Sequence, residues 1–330
     1  MIISRTPFRV SFVGGGTDLP SFYKKSEGRV LSCAINKYLY VVVKKQLGIV
    51  EYKYRVNWSK VEFTNEIDEL EHPIVREALR LLEIEFPIEI TTFAEIPSGT
   101  GLGSSSAFAV GLLNALYALK GTYVSKNKLA DEASKIEIDI LGRKIGRQDH
   151  YASSYGSLNV FSFSADDTVS VEPLLLNSDK ISELESNSLL FYTKFKRDAH
   201  KILNVQDEKN DENLLTLENM RDQVLPMRTF LSNEFSVENY GSFLHQGWES
   251  KRSLTSDISN SEIDKIYSTA LSSGATGGKL LGAGGGGFFL FAVAPEKQGH
   301  LINALEPLFP LKFKLDFGGT RITYFDPMGV

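Results

Sequence analysis

The sequence predicts an α+β protein of two domains, and three observations carry that reading. Residues 2–56 are crowded with Val, Ile, Tyr and Phe in strand-like runs, whereas residues 198–271 interleave charged and apolar residues at helical spacing. Strands grouped apart from a helix-rich half indicate α+β rather than alternating α/β order. At 330 residues the chain is also longer than one core usually needs. The acidic, polar stretch at 164–185 offers a connection, so the expected units are residues 1–180 and 181–330.

In chain order, strand-like runs occupy residues 2–13, 29–36, 38–45 and 49–56. PIVREALRLLE then opens a helix at Pro73, because proline is tolerated in a first turn whose N–H groups have no intrahelical partner. Residues 87–93 return to strand. Apolar residues recur at helical spacing over 107–119, and Ser125 is placed to cap a further helix, KNKLADEASKIEIDILG, that stops at Gly142. Strands follow at 157–163 and 188–193, then the helical stretch 198–271. Two strand-like runs at 279–281 and 288–293, a short helix and two last strands at 313–317 and 322–325 complete the chain.

Composition narrows the function classes. Hydrophobic residues make up 42% and charged residues 23%, the balance of a chain that folds around a core rather than staying disordered. The net charge of -5 leaves no basic surplus for general nucleic-acid binding. A single cysteine, Cys33, excludes an intrachain disulfide and fits a reducing compartment. The opening MIISRTPFRV lacks the apolar core of a secretory signal, and the longest apolar run, 280–294, is short and glycine-rich for a membrane span. A soluble cytoplasmic protein with small-molecule partners, and with neither nucleic acid nor membrane among them, is expected.

Three glycine-rich segments concentrate the chemistry: GGGTD at 14–18, PSGTGLGSSSAF at 97–108 and GAGGGG at 282–287. Any one alone is equally well a tight turn. The third spells GxGxxG, but a dinucleotide site needs a helix next, and FFLFAV reads as strand. A Walker-type loop is absent, because Leu280 rather than Ser or Thr follows Lys279. The second segment has the strongest physical case. Its glycines admit backbone N–H groups to an anion, the helix behind it adds a positive dipole end, and Ser104, Ser105 and Ser106 supply hydroxyls for phosphate or magnesium. One of these serines is also expected to cap the helix. The scattered histidines give no zinc pattern, and no GxSxG elbow occurs.

PFRVSFVGGGTD, PSGTGLGSSSAF and KLLGAGGGGFFLF, in that order, resemble the three motifs of the GHMP small-molecule kinases, over nearly the whole chain. SRTPFRVSFVGGGTDLPSFY, GRVLSCAINKYLYVVV, IEIDILGRKIGRQDHYASSYGSLNVF and LLFYTKFKRDAHKIL are similar to one branch, the D-glycero-D-manno-heptose 7-phosphate kinases. Fucokinase and other sugar 1-kinases share a similar GGxTD opening. The resemblance implies an N-terminal domain like ribosomal protein S5 domain 2, a ferredoxin-like C-terminal domain, and an active site between them. It implies ATP as donor, Mg2+ as cofactor, and transfer of the γ-phosphate to the anomeric oxygen of heptose 7-phosphate. The product is a 1,7-bisphosphate on the way to GDP-heptose and surface polysaccharide. A kinase of another sugar such as fucose, a non-catalytic sugar or nucleotide sensor on the same fold and a diphosphate decarboxylase are the competing readings.

The same resemblance implies the site residue by residue. Nucleotide contacts fall on Pro97, Gly99, Gly101, Leu102, Gly103, Ser104, Ser105, Ser106, Gly284 and Gly285. Sugar contacts fall on Gly15, Gly16, Thr17 and Asp18. Asp149 is the catalytic aspartate, accepting or orienting the anomeric proton, and Arg9 stabilises phosphoryl charge or acts on Asp149. Magnesium falls on Ser105 and Glu137, with Asp139 close by. The residues alone leave other readings open: Asp149 as a loop cap, Arg9 as a surface ion pair, Asp18 as a turn residue and Glu137 as a solvated helix charge. The substrate phosphate needs a second anion site, for which Arg197 in KFKR and the cluster Arg143, Lys144 and Arg147 are candidates. The chain departs from the branch at Lys194 and Phe195, where Gly-Ile is usual, and at His150, where Gln is usual.

Overall fold

The protein is described by a computed structural model covering residues 1–195 and 199–326. Eight strands form the first sheet and four the second, among the described residues. The chain opens with β1 (Ile2–Val13), β2 (Gly28–Lys45), β3 (Tyr54–Asn57), β4 (Val61–Thr64), β5 (Ile88–Ala94), β6 (Leu158–Phe163) and β7 (Val169–Pro173). The second sheet takes β8 (Ser188–Tyr192), β9 (Gly277–Leu280), β10 (Phe288–Ala292) and β11 (Phe309–Leu311), and β12 (Arg321–Phe325) returns to the first. The first sheet runs β12-β1-β2-β5-β3-β4, with β6 and β7 continuing from the other end of β2. The second is antiparallel throughout, in the order β11-β8-β10-β9.

β1 is covered on both faces, and several of its polar residues find partners there, although the buried Ser11 hydroxyl has none. Ser4 donates to Gly111 O (2.7 Å) and the Thr6 hydroxyl meets that of Thr320 (2.8 Å), while Phe8, Val10 and Phe12 are fully buried. The helix Ser104–Leu119 lies across β1 and β2 with twelve of its residues buried, and this anchors the loop that precedes it. In the second half, β8 and β10 bring Phe191, Phe289 and Phe291 against Trp248 of the helix Val237–Ser253 and Tyr267 of the helix Ser261–Ser272. No helix among the described residues is long and apolar enough to cross a membrane.

The structure corrects the element boundaries in several places. Residues 29–36 and 38–45 are one strand, β2, whose pairing with β1 shifts register between Pro7 and Phe8. Of residues 49–56 only 54–56 fall in a strand, because the parallel partner β5 begins at Ile88, opposite Tyr54. The predicted strand at 313–317 is reduced to one bridge, Leu315 to Ile35, because the Asp316 carboxylate turns the chain by accepting from the N–H groups of Gly318 and Gly319. The stretch 164–185 is not a plain connection. It holds β7, paired with β6, and the start of the helix Ser178–Ser186, capped by Asn177.

Candidate active site

The three glycine-rich segments, far apart in sequence, converge on one cavity of about 840 Å3, the size of a small-molecule site. The second segment leads from β5 into the helix Ser104–Leu119. Its N-cap is Gly103 in the left-handed region (φ 78°), with no side-chain cap. The expectation that a serine caps this helix therefore fails: Gly103 takes the position, and the serines stand inside the first turn with their backbone N–H groups uncapped by side chains. Ser105 instead donates its hydroxyl to Glu137 Oε1.

The third segment stacks directly on the second. A Cβ at Gly101 would lie 2.5 Å from Leu281 O, and a Cβ at Gly282 would lie 2.5 Å from Gly101 Cα. Only glycine at both positions lets these two backbones touch. The backbone N–H of Phe288 donates to Thr100 O (3.0 Å), which ties the loops at the other end.

Arg9, in the middle of β1, meets Asp149, in the first turn of the helix Gln148–Tyr155, as a two-pronged ion pair. Arg9 Nε donates to Oδ1 at 2.5 Å and Nη2 to Oδ2 at 2.7 Å, while Nη1 donates to Gly101 O at 2.6 Å. The Arg9 side chain is 5% exposed and that of Asp149 21%, so the carboxylate is the more accessible member, and both line the cavity. This is neither a surface ion pair nor a loop cap.

Asp18 lies in the same cavity, fully clasped. It accepts from Gly16 N (3.0 Å), Gln148 N (3.1 Å) and Gln148 Nε2 (3.0 Å). Burial and the neighbouring Asp149 charge push its carboxyl above the ordinary range, against the pull of the backbone N–H donors. Gly146 makes room for it: a Cβ there would lie 1.8 Å from Asp18 Oδ2.

Glu137 lies on a single π-helical turn, Lys135–Ile140, that continues the helix Lys126–Ser134. It is wholly buried, not a solvated helix charge. Burial disfavours its ionised form, but the His150 ring (2.9 Å), Ser105 and Arg143 outweigh that and hold the carboxyl at about 2. His150, one of the departures from the branch, is therefore a wall of this acidic site. Asp139 is exposed.

Of the sequence-predicted residues, Arg9, Gly15, Gly16, Asp18, Pro97, Gly99, Gly101, Gly103, Ser104, Ser105, Ser106, Glu137, Asp149 and Gly284 line the cavity. Three do not reach it. Thr17 spends its hydroxyl between its own turn and β2, donating to Gly14 O or Arg29 O and accepting from Arg29 N. Leu102 is buried in the core with only its carbonyl engaged, accepting from Arg9 N. Gly285 donates its N–H to Ile258 O. Arg197 lies outside the described residues. Of the cluster Arg143, Lys144 and Arg147 only Arg143 lines the cavity, and all three are paired, with Glu137, Asp207 and Asp131 respectively.

Sequence reasoning missed Gln148, Gly146, Lys251 and Lys279, and also the apolar wall formed by Trp58, His72 and Phe108. The His72 ring stands between Trp58 (4.7 Å) and Phe108 (4.8 Å), and burial lowers it to about 4, so it is a neutral aromatic at neutral pH. Gln148 adjoins Asp149 and was legible beside it; Gly146 is set by the distant Asp18, and the aromatic wall is assembled from three elements with no local pattern.

Similarity to known proteins runs along most of the chain. Residues 73–157 match the family model for the GHMP kinases N terminal domain, and residues 234–308 match that for the GHMP kinases C terminal. The chain is 30% identical to D-glycero-alpha-D-manno-heptose 7-phosphate kinase of Campylobacter jejuni, over 92% of this chain and 93% of that one. It is also 30% identical to the bifunctional fucokinase/GDP-fucose pyrophosphorylase of Arabidopsis thaliana, over 91% of this chain but 30% of that longer protein. The crystal structure of a D-glycero-D-manno-heptose 1-phosphate kinase from Bacteroides thetaiotaomicron superposes with a TM-score of 0.81 at 23% identity, over 99% of this chain and 100% of that one.

Proposed function

The chain belongs to the GHMP kinases, sugar kinases of this family use ATP as phosphate donor, and on that premise we propose that this one phosphorylates the anomeric oxygen of D-glycero-D-manno-heptose 7-phosphate. The observation that carries the proposal is the Campylobacter jejuni relative, similar from end to end. The bidentate Arg9–Asp149 pair at the meeting point of the glycine loops supports it. We divide the chain at residue 180, with β12 crossing back to the first sheet.

In this reading the uncapped first turn of Ser104–Leu119 and the glycines on either side hold the nucleotide phosphates through backbone N–H groups. Gly15, Gly16 and Asp18 hold the sugar, with Asp18 accepting from its hydroxyls. Asp149 orients the anomeric hydroxyl and receives its proton, while Arg9 fixes the carboxylate and faces the charge that develops on the phosphoryl group. Trp58, His72 and Phe108 offer aromatic faces for the nucleobase.

Magnesium fits the Ser105 and Glu137 oxygens, which already share one donor, Arg143, as a cation would be shared. Two protein oxygens suit an ion that keeps waters and phosphate oxygens as its other ligands. When bound, the ion neutralises phosphate charge. Glu137, kept ionised by His150 and Arg143, supplies the carboxylate for it at any pH above about 2.

A coupled ADP-release assay on a panel of sugars and sugar phosphates tests the proposal, with phosphorus–proton NMR to locate the new phosphate. Turnover of heptose 7-phosphate to a 1,7-bisphosphate is expected. Turnover of free fucose but not of heptose 7-phosphate refutes the substrate.

A further inference from the structure

Two lysines that the motifs left without a role line the cavity: Lys279 in β9 and Lys251 in the helix Val237–Ser253. Both are buried, at 4% and 8% exposure. Their amino groups donate to backbone carbonyls rather than carboxylates. Lys279 Nζ donates to Phe12 O in β1 at 2.7 Å, and Lys251 Nζ to Leu280 O at 2.9 Å and Gly282 O at 2.5 Å. The charged groups that act on them are cationic: Arg9 on both, and Lys279 on Lys251. Arg9 is the one member of the trio with a carboxylate, and Asp149 is already bound to it by two prongs.

A buried ammonium without a counter-ion is costly, and two beside a guanidinium are costlier. A fold that needed only to join β9 to β1 would do so more cheaply with an apolar side chain. The cost is recovered when an anion enters. The position of the pair names that anion. Lys251 supports the carbonyls of the third glycine segment at the point where Gly282 stacks on Gly101 of the phosphate-cradling loop. Lys279 reaches the strand that carries Arg9.

We infer that Lys279, seconded by Lys251, is a further catalytic cation of this site, contacting the terminal phosphate of the nucleotide as it passes to the sugar. The inference rests on the kinase reading above and adds a residue to it. In the step itself the bond from the γ-phosphorus to the bridging oxygen of ADP breaks and a bond to the anomeric oxygen forms. The anomeric proton goes to Asp149, and Lys279 makes no covalent bond; it balances phosphoryl charge.

Burial first, and Arg9 second, bring the Lys279 amine down to about 7. Above that pH the amine is largely neutral before the anion arrives and takes a proton from solvent when it does. Binding of MgATP without sugar is therefore measured calorimetrically at about pH 8.5, in two buffers of different ionisation enthalpy, where the nucleotide has no proton of its own to exchange. Uptake of about one to two protons per nucleotide is expected in the unaltered protein. Lys279→Met removes about one of them and lowers kcat ~100-fold. Binding without proton uptake in the unaltered protein overturns the inference, and so does a folded Lys279→Met protein with uptake and kcat intact. Should Lys279→Met fail to fold, the calorimetry of the unaltered protein decides alone. Turnover by the unaltered protein in the coupled assay tests the underlying reading separately, since it does not depend on Lys279.

Discussion

Asp149 is fixed by both nitrogens of one side of a guanidinium, so its free edge has little choice of direction. Asp149→Asn keeps the shape but loses proton acceptance and one charged hydrogen bond. Its kcat is expected to fall ~10²–10⁴-fold with the ATP dissociation constant unchanged, as read by calorimetry and steady-state kinetics. Retained turnover would remove Asp149 from the reaction. Gly146 offers a second test at the same scale. Gly146→Ala must displace the Asp18 carboxylate, so the sugar KM is expected to rise at least ~10-fold while ATP binding is kept. These residues differ in how they could be read. Asp149 and Asp18 sit inside quoted motifs, whereas the part of Gly146 depends on a carboxylate 128 positions earlier and has no local signal.

At the scale of elements, the π-helical turn Lys135–Ile140 sets a buried carboxylate against Ser105 of the phosphate loop. A plain amphipathic pattern does not announce such a turn, so Glu137 looks from sequence like a helix surface charge. Its depressed folded value, about 2, has a definite pH consequence. The stabilisation is fully present above the ordinary carboxylate range and is lost as pH falls from about 4.5 toward 2. Glu137→Gln should abolish that part of the acid sensitivity. The urea midpoint of the unaltered protein is expected to drop between about pH 4.5 and 3 more steeply than that of the variant, toward a difference of about 3 kcal/mol at full protonation. Equal slopes would show that the carboxylate is not held as described. Strands with dense β-branched and aromatic runs, such as β1, β2 and β10, were legible because burial demands those residues. Residues 49–53 precede the start of the pairing with β5, and 313–317 turn away at Asp316 after one bridge to Ile35, and neither outcome is written locally.

For the molecule as a whole, the two sheets and the cavity share one set of buried groups, so stability and site chemistry are coupled. The α+β class and the order of the glycine segments were readable, because both depend on contiguous residues. The convergence of those segments on one cavity needed the tertiary fold, and the two cavity lysines needed it most, since Lys279 and Phe12 lie 267 positions apart. Lys279 links the sheets through a buried amine whose folded value, about 7, is below its ordinary 10.5. The unfolded chain therefore holds that proton over the intervening range, and the folded protein gains stability as pH rises from about 7 toward 10.5. Buried tyrosines oppose this further up: burial raises Tyr151 and Tyr240 well above 10, so ionisation in the unfolded chain favours unfolding at higher pH. The ligand-free protein should thus be most stable near pH 9 to 10 rather than at neutrality. In Lys279→Met the rise between about pH 7 and 9 should become shallower, with the part due to Lys251 kept, and the tyrosine-driven fall remain. Denaturant midpoints of both proteins at half-unit steps from pH 6.5 to 10.5 read this directly. A maximum near neutrality in the unaltered protein, or parallel curves for the two, would mean that the amine joining the sheets is charged in the ligand-free fold.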